Sequence, residues 1–212
     1  QIGLGSTVNT VTKIFKQAFS GCSSLKSITI PEGVTHIDEW TFANCSALEN
    51  IILPNTVEEI GDDAFRGCTS LENITLPDSI TQLGSNSFKD CTSLKNIALP
   101  KGLKRLERHT FENCSALESV DLAGVKTIEA FAFVNCNSFK SIDLKKVSVL
   151  DDYAFVDAVG LESIVIPGSV KSVGYEAFSK CTSLKSVVIE RNVRTTTKLL
   201  DDVFFRCSAL TT

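Results

Sequence analysis

The sequence FRGCTSLENITLP, which spans Phe65–Pro77, recurs along the chain and decides its fold. Its phenylalanine returns at steps of 23, 23, 23, 23, 22, 22, 23 and 26 residues, at Phe19, Phe42, Phe65, Phe88, Phe111, Phe133, Phe155, Phe178 and Phe204. Self-similarity at a fixed period of about 20–50 residues is typical of stacked repeat architectures. We therefore interpret the chain as a solenoid in which each repeat forms one coil.

Two apolar positions that lie two residues apart predict one short strand in each coil. In the quoted stretch they are Ile74 and Leu76, and side chains two residues apart lie on the same face of a strand. Stacking equivalent strands gives a parallel sheet with this face inward. Every proline of the chain directly follows the second of these positions. Proline marks the end of the strand because it lacks the N–H that a ladder needs. These prolines are Pro31, Pro54, Pro77, Pro100 and Pro167.

The residues before each phenylalanine predict a short, N-capped helical turn on the outer side of the coil. Asp62 and Asp63 stand before Ala64 and Phe65 in this way, and Asp is a favoured capping residue. The position before each cysteine is mostly Gly, Asn or Asp. These residues tolerate the left-handed conformation that ends a helical turn.

The repeat resembles the BspA-like leucine-rich-repeat family in the columns F-x-x-C-x-x-L-x-x-I-x-L-P and V-x-x-I-G-x-x-A-F. The match covers residues 19–212, with departures at Phe139, at Ala158 and in the two 22-residue coils. The resemblance implies a right-handed solenoid on the surface of bacteria or of some protist parasites, or a secreted protein. It also implies adhesion to host proteins or other cells, and it brings no catalytic residues.

The predicted fold class is therefore an α/β repeat, a leucine-rich-repeat solenoid of about nine coils of 22–26 residues. Each coil has one short parallel strand and a short helical or 3-10 turn on its outer side. Residues 1–18 form a lead-in with a partial first coil, and residues 19–212 form one continuous domain. The step of 26 contains an insertion, RTTTK, at Arg194–Lys198. Because the sequence has no methionine, we interpret it as a segment of a longer protein.

The amino-acid composition argues against some classes of binding partner. The net charge is −4 and the basic residues are scattered among acidic ones, which argues against nucleic acid. No run of apolar residues reaches the about 18 needed to span a membrane. All cysteines occupy one column, and Ala158 replaces one of them. Parallel Cβ vectors are a poor geometry for disulfides, so we predict free, buried thiols that act as small hydrophobic groups. No motif for a metal, a cofactor or catalysis is present.

The outward positions of the strands are the candidate partner-binding residues, because the repeat leaves them free to vary. They are Thr75, Ala98, Asp121, Asp143, Val165 and Val188. Asp121 and Asp143 would lie about 5 Å apart on neighbouring strands, where like charges repel. Two interpretations stay open: a site for a cation or a basic ligand, or a solvated pair screened by salt.

A second candidate lies on the outer turn, where His109, Phe131 and Tyr153 occupy one column in consecutive coils. The three rings could form an exposed contact patch. The alternative, which we favour, is that the rings lie flat over the turn and cover the core of the short coils.

The sequence favours a non-catalytic binding module of a cell-surface or secreted protein, with a protein or glycan as its ligand. The alternative is a structural spacer that projects another domain from the cell. An enzyme is disfavoured because the repeat offers no cleft. End-to-end self-association is a further expectation, since terminal coils of a solenoid need a cap.

Overall fold

The protein is described by a computed structural model of residues 11–122, 124–191 and 196–211. Most of the predicted lead-in and part of the predicted insertion, including Arg194 and Thr195, lie outside these residues. Within them, Ile14 pairs with Ile37 in a parallel bridge, so the partial first coil stacks on the coil that follows.

One set of short strands, here called the first ladder, follows the predicted Ile/Leu columns. Neighbouring strands pair in parallel with equivalent residues in register, for example Ile28 with Ile51 and Ile164 with Val187. Asn73 adds a bridge to Asn96. The strands of the first ladder are β1 Ser27–Thr29, β3 Asn50–Ile52, β6 Asn96–Ala98, β8 Ser119–Asp121, β11 Ser163–Ile166 and β13 Ser186–Ile189.

A second ladder of two-residue strands runs along another side of the coil and was not predicted. Its pairs are also parallel and in register, as in Ile60 with Leu83 and Leu106 with Ile128. The strands are β2 His36–Ile37, β4 Glu59–Ile60, β5 Gln82–Leu83, β7 Arg105–Leu106, β9 Thr127–Ile128, β10 Val149–Leu150, β12 Ser172–Val173 and β14 Lys198–Leu199.

The expected number of about nine coils is too high. The first ladder has six strands and the Asn73 bridge, which gives about seven complete coils. Two of the phenylalanine-marked repeats contribute neither a strand nor a bridge to it. One contains Ser141–Leu144, which has no strand pairing, and the other begins at Phe204, shortly before the sequence ends.

The predicted helical turns are also wrong, since the described residues contain no helix. The residues from the end of each second-ladder strand to the cysteine, here called the outer turn, divide their N–H groups between two directions. Those of Trp40, Phe42 and Asn44 donate to the next coil, at 3.0, 2.8 and 2.6 Å. Those of the residues between them donate three residues back, at 3.1–3.3 Å. A helix needs consecutive N–H groups to stay within the segment.

Two left-handed residues bracket each outer turn and further exclude a helix. The one before the cysteine was predicted, and Asn44, Asp90 and Asn113 confirm it with φ values of 60°, 63° and 62°. The other lies two residues before the phenylalanine and was not predicted. It is held by Trp40 and by Tyr153, both with φ of 58°, in a region that bulky residues rarely occupy.

The core is a set of columns that run the length of the solenoid. Its centre is a continuous stack of the repeated phenylalanines, in which neighbouring ring centroids lie 5.0–5.7 Å apart with nearly parallel planes. Phe139, which replaces a leucine, packs its ring edge-on against Phe133 at 5.6 Å. A coil cannot bury this apolar side alone, so the stacking of neighbours supplies the core.

Candidate binding surfaces

The six predicted partner-binding residues are all exposed, and with Thr29 and Ile52 they form what we call the first-ladder surface. The structure places them in separate strand pairs. Ala98 lies opposite Asp121, and Val165 lies opposite Val188. Thr75 lies beside the Asn73 bridge, and Asp143 lies outside any strand. The column therefore forms one side of the molecule, but not one unbroken sheet.

Aliphatic side chains give the first-ladder surface its character. Ile52 is 63% exposed, Val165 46% and Val188 53%. The Val165–Val188 pair continues into Ile189, which is also exposed. Apolar side chains that adjoin each other in water are typical of surfaces that contact a partner.

Asp121 and Asp143 line one shallow depression of about 180 Å³ together with Val120, Leu122, Lys145 and Lys146. They are not opposed on neighbouring strands as predicted, because the segment of Asp143 forms no strand. The Lys145 N–H donates to Asp143 Oδ1 at 2.9 Å, and Lys145 Nζ lies 3.3 Å from Oδ2. A local turn thus keeps Asp143 off the ladder, and a basic group of the chain itself lies beside its carboxylate.

A charged column flanks the first-ladder surface and its neighbours pair with opposite sign. Lys95 Nζ lies 2.7 Å from a Glu72 oxygen, and Lys185 Nζ lies 2.9 Å from a Glu162 oxygen. The hydrogen bond from Lys185 lowers the pKa of Glu162, and the hydrogen bond to Glu72 raises the pKa of Lys95. Exposed pairs of this kind contribute little stability. They make a polar rim along one side of the aliphatic residues.

The outward side of the second ladder is more polar, and several of its residues are paired within the chain. Glu59 accepts a hydrogen bond from Gln82 at 3.1 Å and lies 3.6 Å from the ring of His36. Arg105 binds Glu129 and lies 3.8 Å from Glu107. Several polar side chains on this side therefore already have partners within the chain.

The outer-turn column of His109, Phe131 and Tyr153 forms a row of stacked rings. The centroids are 4.8 Å apart at both steps and the planes are within 6° of parallel. Each ring is half-buried. The rings face along the stack of coils, so they do not lie flat over the turn as the favoured interpretation had it. That they cover the core of the short coils, or form a contact patch, stays a prediction. Stacking is preferred because the spacing between coils matches that between stacked rings.

Tyr175 joins this row at its end and was not singled out in the sequence, where it belongs to a different column from Tyr153. Its ring meets that of Tyr153 at 5.4 Å and 78°, edge to face. The Tyr175 N–H donates to Asp152 Oδ1 at 2.7 Å. The only signal in the sequence was an aromatic residue directly after the turn glycine Gly174.

Two features that the described residues lack bear on other classes of function. Within residues 11–122, 124–191 and 196–211, no group of three or more His, Cys, Asp or Glu side chains is placed to hold a metal ion. Over the same part of the chain, no helix has the length and apolar character needed to cross a bilayer.

The short parallel strands, the buried Phe, Cys and Leu columns and the tight outer turns define a leucine-rich-repeat solenoid. The sequence family described as BspA type Leucine rich repeat region, in six copies, matches residues 6–118 and 109–212. The chain belongs to this BspA-type leucine-rich-repeat family. Families with this repeat fold are generally non-enzymatic.

Solved structures with the same architecture come from several bacteria. A leucine-rich repeat protein from Bacteroides ovatus is 30% identical with a TM-score of 0.74, over 94% of this chain and 57% of that protein. A leucine-rich repeat protein of T. pallidum is 29% identical with a TM-score of 0.50, over 61% and 72%. The pneumococcal vaccine antigen PcpA, at 22% identity, a TM-score of 0.53 and coverage of 85% and 56%, shares the fold.

The chain thus spans less than two thirds of the Bacteroides ovatus protein that it resembles. No curated protein is significantly similar to it.

Proposed function

We propose that this chain is a non-catalytic binding module of a cell-surface or secreted protein, and that it binds a partner through the first-ladder surface. The observation that carries the proposal is the in-register pair Val165 and Val188, each about half exposed and continued by Ile189. When a partner covers solvent-exposed aliphatic side chains, the free energy of binding becomes more favourable by about 25 cal/mol for each Å² removed from water.

The chemistry of this surface favours a protein over a glycan. Its exposed apolar residues are aliphatic, with Ile52 at one end and Val188 at the other, whereas sugar rings are bound most readily by flat aromatic side chains. The rim of Lys95–Glu72 and Lys185–Glu162 pairs is suited to the polar edge that surrounds an apolar centre in protein interfaces. Adhesion to host proteins is the role that the family resemblance favours.

The experiment compares purified protein with two variants on arrays of extracellular-matrix proteins, plasma proteins and glycans. In Val165→Thr/Val188→Thr the strand keeps β-branched side chains while the surface loses apolar area. The control is Val149→Thr, which makes one such substitution at an exposed position of the second ladder.

We expect at least one protein on the arrays to bind, with an affinity that falls about tenfold in the double variant and stays unchanged in the control. Equal binding by the folded double variant would exclude this surface. If only glycans bound, the ligand class would be wrong. Absence of binding to every array would instead favour the structural spacer.

A further inference from the structure

The outer turns near Tyr153 carry an unbalanced negative charge. The segments 151–154, 174–177 and 200–203 contain five acidic residues and no basic ones, although the whole chain carries a net charge of only −4. The five are Asp151, Asp152, Glu176, Asp201 and Asp202. They lie in successive coils, because the Tyr153 N–H donates to Tyr175 O at 2.9 Å and the Glu176 N–H donates to Asp201 O at 3.2 Å.

Several carboxylates elsewhere on the outer turns have basic partners within the chain. Asp63 and Asp90 both lie near Arg66, at 3.3 and 3.6 Å, and Glu112 lies 2.8 Å from Lys89 Nζ. In the part of the chain that the structure describes, no Lys or Arg side chain forms an ion pair with Asp152, Glu176 or Asp202. The negative potential here is therefore left for solvent or for a partner to balance.

Two aromatic rings stand at right angles inside this acidic region. Tyr153 and Tyr175 meet at 5.4 Å and 78°, and both are half-buried. The Tyr175 N–H donates to Asp152 Oδ1 at 2.7 Å, and the Glu176 carboxylate lies close to the Tyr175 hydroxyl. Partial burial, and after it the charges of Glu176 and Asp152, raises the pKa of Tyr153, and interaction with the Glu176 side chain raises the pKa of Tyr175 to about 12. We call this arrangement the Tyr153–Tyr175 corner.

The backbone under the corner is held in an uncommon conformation for residues of this size. Tyr153 has a φ of 58°, and Phe131 and His109 in the same column have φ values of 64° and 59°. The equivalent positions Asn86 and Asp202 carry residues that adopt this region readily. The same conformation recurs at this position in the other coils, so the turn itself does not require a ring.

We propose that the Tyr153–Tyr175 corner binds lysine or arginine side chains of a basic protein segment. Ring faces attract organic cations, and carboxylates around the rings strengthen the attraction. A hard divalent cation is a poor fit, because it needs several oxygen ligands converging on one point. Carboxylates from three successive coils, spaced by about 5 Å per coil, instead match a run of cationic side chains on an extended segment.

This inference is independent of the proposed function, since the corner lies on the outer turns and the first-ladder surface lies on the strands. The test uses the whole chain and a fluorescein-labelled nonalysine peptide, with its fully Nε-acetylated form as the uncharged comparison. Anisotropy titrations at low salt give the affinity, and the ring signals of Tyr153 and Tyr175 in NMR spectra locate the peptide.

Separate variants remove the carboxylate charges and the Tyr175 ring. In Glu176→Gln/Asp202→Asn two charges are lost with little change in shape, and Asn suits the φ of 56° at residue 202. Glu49→Gln/Glu118→Gln is the control, because it makes the same change of net charge on the rim of the first-ladder surface. Tyr175→Leu removes a ring, and Tyr175→Phe keeps the ring without the hydroxyl.

We expect saturable binding by the nonalysine peptide and none by its acetylated form. The affinity should fall about tenfold in Glu176→Gln/Asp202→Asn and about fivefold in Tyr175→Leu, and should stay within about twofold in the rim control and in Tyr175→Phe. Three results would overturn the proposal: equal losses in the rim control, unchanged binding by Tyr175→Leu, or no shift of the two tyrosine signals on saturation. Val165→Thr/Val188→Thr should bind the peptide as the wild type does.

Discussion

The thiol of Cys114 donates a hydrogen bond to the main-chain carbonyl of Phe88 in the preceding coil, with an Sγ···O distance of 3.1 Å. The same bond joins Cys68 to Phe42 and Cys136 to Phe111, at 3.2 Å in both cases. The cysteine column therefore ties each coil to its neighbour, beyond filling space as the sequence analysis proposed. Ala158 shows that a coil can be built without this bond.

The first prediction concerns the reactivity of these thiols. Burial raises the pKa of Cys114 and of Cys91 well above the usual range, so neither forms the thiolate that reacts with alkylating reagents. Cys22 is exposed. Native protein treated briefly with iodoacetamide at pH 8 should therefore carry an adduct on Cys22 and none on Cys91 or Cys114, as located by peptide mass spectrometry.

The control is the same treatment in concentrated urea, where Cys91 and Cys114 should be labelled as fast as Cys22. Labelling of Cys114 in native protein at the rate of Cys22 would contradict the packing described. Reducing agent should leave the mobility of the protein on a gel unchanged, because all eight cysteines are free.

The repeat period and the inward-facing columns could be predicted from sequence because each coil needs apolar side chains at the same positions. The number of complete coils and the turn conformation could not. The helix prediction treated Asp62 and Asp63 as caps of a local segment, whereas the Asp63 N–H donates to Ser85 O in the next coil at 2.9 Å. Main-chain hydrogen bonds between coils do not depend on the type of side chain, so the sequence did not predict them.

The candidate sites were predictable to a different degree. The outward column followed from the alternation of strand side chains, and the structure places those residues on the surface. The pairing of Asp143 with Lys145 depends on a turn that replaces a strand, and the meeting of Tyr153 with Tyr175 joins two columns. Both depend on local backbone geometry, which a column-by-column comparison does not contain.

The second prediction concerns close approach of the backbones of successive coils at Gly84. A Cβ added there would lie 2.4 Å from the Asp62 N and 2.5 Å from the Gly61 carbonyl carbon. Backbone atoms of a packed coil cannot move aside cheaply, so Gly84→Ala should lower the free energy of unfolding by about 3 kcal/mol or more. Urea unfolding followed by circular dichroism measures it.

Gly102→Ala is the matched control for Gly84→Ala. The nearest atoms to a Cβ at Gly102 lie at 3.5 Å, an ordinary contact. The substitution should therefore leave stability unchanged or raise it by about 0.5 kcal/mol, because alanine restricts the unfolded chain. Equal stability of the two variants would show that the coils are spaced more widely at Gly84 than the structure places them.

The third prediction separates two hydroxyl groups at the same position of neighbouring coils. Both Ser87 and Thr110 are fully buried. Thr110 Oγ1 donates to Glu107 O at 2.7 Å, whereas Ser87 Oγ has no hydrogen-bond partner. Thr110→Val should cost about 1 kcal/mol, and Ser87→Ala should be neutral or stabilise by up to about 1 kcal/mol, because an unsatisfied buried hydroxyl is unfavourable. Thermal and urea unfolding of both variants measure the difference, and a loss of stability in Ser87→Ala would show that its hydroxyl has a partner.

The fourth prediction concerns Asp63, a buried carboxyl at a left-handed residue with φ of 55°. Burial raises its pKa above the usual 3.8, even though hydrogen bonding and charge from Arg66 oppose the shift. The folded state then holds the proton more tightly than the unfolded state does. The stabilising contribution is complete below pH 3.8 and is lost as the pH rises through the raised pKa.

Asp63→Asn removes this titration and keeps a residue suited to the left-handed conformation. Relative to the wild type, the variant should therefore gain stability as the pH rises from about 3.5 to 7, as measured by urea midpoints across that range. In an Arg66→Met background the gain should be larger, since the group that opposes the shift is absent. A relative loss of stability toward pH 7 would mean instead that the ion pair with Arg66, at 3.3 Å, outweighs the cost of burying the carboxylate.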